Sequence, residues 1–218
     1  MSEDLIYLGT EDYDVLEAQN AIPTFWFLLI APEDLPKIKE NIRLCTALMA
    51  LEFDQRKAFV ESLGDADELG IITLRQDYVL ENAQHLQQYV TTVVPTLAPL
   101  FEDFLHYLKP LFKEDGYLLI DFDEYIDWYD DLDDFYEVIA TIVEDAQKPP
   151  TPHAGIEFID EEDIVASTVG YDELDGDDYP NFAESSDVYF KLLPKHRIPE
   201  TMHPNGTSFF NKIKRWFI

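Results

Sequence analysis

The pattern of apolar and polar positions divides this chain into blocks of different period. A continuous apolar run at residues 25–30 (FWFLLI) is flanked by Pro23 and Pro32. A run this short fits a buried strand or a buried helix equally, so it predicts core and not conformation. From Pro32 the phrase APEDLP reads as a helix start. Ile38, Ile42, Cys45, Leu48 and Met49 then recur at 3.6-residue spacing, which predicts a helix over 35–51. Asp54 is expected to cap a second helix that runs to Leu63 and stops at Gly64.

Residues 5–8 and 71–74 carry short strand patterns. A longer helix starting near Asp77 places Val79, Ala83, Leu86, Val90 and Val93 on one face, until Pro95 and Pro99 interrupt it. The next helix carries Leu97, Leu100, Phe104, Leu105 and Leu108 and ends before Pro110. After a turn at 113–116, the strand-like YLLI of 117–120 leads through a cluster of carboxylates into another helix. Its apolar face is Leu132, Phe135, Tyr136, Ile139, Ile142 and Val143, with Asp130 or Asp131 as the expected cap.

The proline-rich KPPTP at 148–152 marks a change of pattern. Beyond it, 155–159, 164–169 and 188–193 show β-type patterns, and 208–218 (SFFNKIKRWFI) mixes aromatics with bases. The predicted fold is α+β. About six helices fill the first two-thirds (1–148), a linker covers 149–152, and a smaller β-containing region covers 153–218 and packs on the first.

Charge changes the picture more than length does. The chain holds 45 Asp and Glu against 15 Lys and Arg, a formal net charge of −30, while 46% of its residues are apolar. That apolar share argues against global disorder. The field repels nucleic acid and anionic membranes and attracts basic proteins. The acids are concentrated: residues 100–185 carry 26 acids and three bases, whereas 186–218 carry two acids and six bases. The basic tail is expected to fold back on the acidic body.

No disulfide can form within a chain whose one cysteine is Cys45, which is expected to be a buried thiol. The acidic N-terminus lacks the basic region of a secretory signal, and the longest apolar run is too short for a bilayer. These features lead to the expectation of a cytosolic protein that makes no contact with membrane.

The candidate site is the stretch 121–134, where carboxylates alternate with aromatics. Asp121, Asp123, Glu124, Asp127, Asp130, Asp131 and Asp134 supply charge, and Tyr125, Trp128 and Tyr129 supply anchors. Aromatics within a field of one sign suit capture of an oppositely charged protein. Asp121-Phe122-Asp123 at the end of a strand also has the form of a divalent-cation site, but no glycine-rich phosphate loop accompanies it. The acidic run at 172–178 approximates a calcium loop, with Tyr171 and Phe182 standing where its end ligands belong. The five histidines and single cysteine show no zinc spacing. No cofactor, metal or catalytic residue is expected.

The functional expectation is an acidic protein that neutralises a basic partner. The analogy, from charge and composition, is with the immunity proteins of bacterial toxin systems. The alternatives are a metal-dependent hydrolase or transferase using Asp121 and Asp123, a DNA-mimic inhibitor, and an acidic structural or adaptor domain.

Overall fold

The computed structural model describes residues 7–9, 16–18, 23–63, 69–112, 116–122, 132–150, 164–171 and 180. Their order is β1 (Tyr7–Gly9), β2 (Leu16–Glu17), α1 (Thr24–Leu28), a 3-10 turn (Pro32–Asp34), α2 (Leu35–Met49) and α3 (Phe53–Leu63). There follow β3 (Ile71–Arg75), α4 (Gln76–Val93), α5 (Ala98–Leu108), β4 (Tyr117–Asp121), α6 (Leu132–Gln147) and α7 (Ala166–Val169). The fold is mostly helical α+β, and six of its described helices precede residue 148.

The ambiguous run at 25–30 resolves as helix and core together. Pro23 occupies the N-cap position of α1, and every residue from Thr24 to Ile30 is buried. The ring of Phe25 meets Phe101 edge-on at 4.8 Å, and Phe27 meets Phe135 at 6.4 Å. One short helix thus joins α5 and α6 through aromatic pairs, each a modest gain beyond its area burial.

The sheet has the order β2-β1-β4-β3. Strand β4 lies between β1, to which it runs parallel, and β3, to which it runs antiparallel, with Ile72 opposite Ile120 and Leu74 opposite Leu118. All four of those side chains are buried. The strand-like run at 117–120 is therefore a central strand.

Two junctions fix β3. Asn41, buried on α2, donates from Nδ2 to the Ile71 carbonyl (3.0 Å) and accepts the Gly70 N–H on Oδ1 (3.1 Å). Gly70 adopts φ 77°, a left-handed conformation that a side chain would strain, and its carbonyl accepts the Phe122 N–H at 2.7 Å. At the other end Arg75 ion-pairs with Glu33 and approaches Asp34 and Asp77, both at 3.6 Å, tying the 3-10 turn to the start of α4.

Three expectations need correction. The second helix begins at Phe53, so Asp54 sits in its first turn and does not precede it. Residues 164–169 form a turn and the short helix α7 instead of a strand, and Val165 and Val169 bury their side chains in the common core. An apolar run of this length is helix or strand according to what it packs against, and here it packs on α1. The longer helix carries Tyr78 and Tyr89 on its buried face, while Ala83 is only half-buried. The patterns at 155–159 and 188–193, the acidic run at 172–178 and the tail at 208–218 lie outside the described residues.

Candidate protein-binding surface around β4 and α6

Strand β4 delivers the chain to the candidate site, and α6 carries it away. Asp121 ends β4 opposite Ile71 and is half-buried, and Phe122 after it is fully buried. Ten positions later Leu132 opens α6 and is buried too. The Phe122 and Phe135 rings lie 5.5 Å apart, so both ends of the intervening segment are rooted at one place in the core. Between these roots lies DEYIDWYDD, residues 123–131, with five carboxylates and three aromatics.

Of the sequence-predicted site residues, the structure therefore places two. Asp121 is half-buried at the end of β4, and Asp134 is exposed in the first turn of α6. Asp123, Glu124, Tyr125, Asp127, Trp128, Tyr129, Asp130 and Asp131 lie outside the described residues. Asp133, Asp134 and Glu137 are all exposed on α6, while Phe135, Ile139, Ile142 and Val143 face the core. The separation follows from 3.6-residue periodicity. Carboxylates in the first turn also suit the positive end of the helix dipole.

A groove of about 730 Å³ runs between α2 and the start of α6, with Ile42, Ala47 and Ala50 among its walls and Asp133 and Tyr136 on the α6 side. The Lys39 ammonium lies 4.7 Å from the centre of the Tyr136 ring. Arg43 makes two hydrogen bonds to Glu40 on the exposed face of α2, at 2.7 and 2.5 Å. Sequence reading did not find this groove, because the separate periodicities of α2 and α6 do not reveal that the two helices are neighbours.

Electrostatics elsewhere are local. The backbone hydrogen bond at Glu33, and then Arg75, hold the Glu33 carboxyl below the usual range. Burial pushes the Asp34 carboxyl up, against the pull of Arg75. Burial likewise raises Asp103, and the adjacent Glu102 adds to the effect. His85 donates from Nε2 to the Ala146 carbonyl (2.7 Å), and Gln147 donates to the Tyr78 hydroxyl (2.9 Å), so His85 serves to join α4 and α6. Cys45 is buried, with Sγ 3.6 Å from Asn41 Oδ1.

Among the described residues no group of three or more His, Cys, Asp or Glu side chains is placed to hold a metal ion. Asp123, the second member of the Asp121–Asp123 pair, lies outside them. No helix among the described residues is long and apolar enough to cross a membrane. Compared with known proteins, the chain matches no family model, no curated protein and no solved structure.

Proposed function

We propose that this protein binds and neutralises a basic protein partner through the surface formed by 121–134, in the manner of the immunity proteins of bacterial toxin systems. One observation carries the reading. The densest mixture of carboxylates and aromatics in the chain is rooted at both ends in a packed core, by Phe122 and by Leu132 with Phe135. The described ends of the segment are thereby fixed to the body of the protein. The exposed Asp133, Asp134 and Glu137 extend the acidic surface along α6.

Steering by a net charge of −30 would bring a basic partner to this surface rapidly. Tyr125, Trp128 and Tyr129 would supply the apolar contact, and the carboxylates would pair with the partner's Lys and Arg. The test is capture from a lysate of the source organism at low salt, with step elution. The triple variant Asp127→Lys/Asp130→Lys/Asp131→Lys serves as the second bait. One basic protein held by the natural chain and lost by the variant supports the reading, and equal capture by both rejects it.

A further inference from the structure

The corner where α2 meets α3 carries an apolar knob beside an apolar socket. Phe53, the first residue of α3, is 84% exposed, and Met49 at the end of α2 is 43% exposed. No residue of α3 is buried. The corner is nevertheless fixed. Arg56 donates to the carbonyls of Leu51 (3.1 Å) and Met49 (3.3 Å), and the Gln55 N–H donates to the Glu52 carbonyl (2.8 Å). A large aromatic ring is thereby held in water at a defined place.

The socket is the groove of about 730 Å³ between α2 and α6, walled by Ile42, Ala47, Ala50 and Tyr136. Phe53 follows Ala50 closely in the chain but does not line this groove, and its exposure shows that it does not fill it. The borders of knob and socket complement each other. Glu52 and Asp54 flank Phe53 and are exposed, while Lys39 and Arg43 stand exposed along the α2 side of the groove. Glu40 on that side is hydrogen-bonded to Arg43, and Asp133 stands on the α6 side. Residues 35–63 together hold five bases and four acids in a chain of net charge −30. This locally balanced face is one that a second, equally acidic copy can approach.

We propose that two copies of this chain pair through this corner, the Phe53 of each entering the α2–α6 groove of the other. Glu52 and Asp54 then lie beside Lys39 and Arg43 of the second copy. Knob and socket belong to one patch, so the same contact is made twice about a twofold axis and closes as a dimer. The patch is only a helix corner and a groove, which places the pairing among weak, reversible contacts of less than about 1,200 Å² in total. Repulsion between copies carrying −30 each opposes it at long range, and salt screens that repulsion, so the dimer strengthens as ionic strength rises. The dilute chain at low salt is a monomer with Phe53 in water. The proposal does not rest on the partner reading: its contacts come from α2, α3 and Tyr136, and its salt dependence has the opposite sign.

The test is sedimentation equilibrium of the full-length chain from about 5 to about 500 μM, at about 20 and about 300 mM salt. The mass should rise from one chain towards two with concentration, and more steeply at the higher salt. Phe53→Ser and, separately, Ala50→Glu should each weaken the dimer about tenfold or more, with the circular dichroism and melting of the dilute chain unchanged. A photoreactive benzophenone side chain at position 53, in a mixture of isotope-labelled and unlabelled chains, locates the contact. It should join position 53 of one copy to 36–50 or 133–136 of the other. A chain that stays monomeric throughout overturns the proposal, as does a dimer that salt dissociates or that Phe53→Ser leaves intact. Cross-linking within one chain, or to another region of the second copy, overturns it as well.

Discussion

The indole Nε1 of Trp26 donates a buried hydrogen bond to the carbonyl oxygen of Val169, 3.0 Å away and 143 residues along the chain. Both side chains are fully buried, and Val165 and Ala166 belong to the same core as α1. Trp26→Phe keeps most of the apolar volume but removes the donor from that carbonyl. The expected loss is about 1–3 kcal/mol in denaturant unfolding, from leaving a buried acceptor without its donor. A loss below about 0.5 kcal/mol would mean that water or another group replaces the indole.

Asn41 holds strand β3 through two backbone groups, the Ile71 carbonyl and the Gly70 N–H. Asn41→Leu keeps the branching and the number of side-chain heavy atoms, though it is bulkier, and satisfies neither group. A destabilisation of about 2–4 kcal/mol is expected, from two buried polar groups at roughly 1–2 kcal/mol each. Because Gly70 also accepts the Phe122 N–H, hydrogen exchange at Phe122 should quicken more in this variant than exchange within α5.

Phe53 and Phe122 form a contrasting pair. Phe53 is 84% exposed at the start of α3, whereas Phe122 is fully enclosed. Phe122→Ala should cost about 3–5 kcal/mol. Phe53→Ala should change stability by no more than about 0.5 kcal/mol. Thermal unfolding of the two variants side by side checks both values. A large loss from Phe53→Ala would show that another surface covers α3 in solution.

Asp103 gives a pH signature. Its folded carboxyl lies above the ordinary value because of burial and then Glu102, so the folded state holds its proton to higher pH than the unfolded chain. Stability contributed by that proton is complete below the unfolded value and is lost as pH rises through the folded one. Asp103→Asn should therefore be slightly stabilising at neutral pH, by about 0.5 kcal/mol or less for a partly exposed position. The advantage should vanish below the ordinary aspartate range. Urea melts of both proteins at neutral and acid pH measure the difference, and an advantage that grew on acidification would contradict the assignment.

Periodicity made the helices and the central strand legible. The faces of α5 and α6 follow their 3.6-residue spacing, as does that of α2 through Ile38, Ile42 and Cys45, whereas the predicted Met49 is exposed; YLLI at 117–120, which follows Gly116, became β4 with Leu118, Leu119 and Ile120 buried. What stayed hidden depended on partners. The run at 25–30 gave burial but not conformation, since only packing against Phe101 and Phe135 decides it. The run at 164–169 looked like a strand and is a turn and helix, for the same reason. Asn41 could have been suspected from a polar side chain between Ile38 and Cys45 on the buried face of α2, but its acceptor at Ile71 belongs to tertiary structure. Of the candidate surface, the sequence indicated the charge and the aromatics. The roots at Phe122 and Leu132 came from the fold.

The proposed function requires a basic partner to be steered to and held by residues 121–134. The most direct measurement is the association rate with the captured basic protein as a function of ionic strength, for the natural chain and for Asp127→Lys/Asp130→Lys/Asp131→Lys. The rate should fall by at least an order of magnitude between about 10 and 150 mM salt for the natural chain, with binding abolished in a variant that still folds. A rate independent of salt, or undiminished binding by the variant, would contradict it.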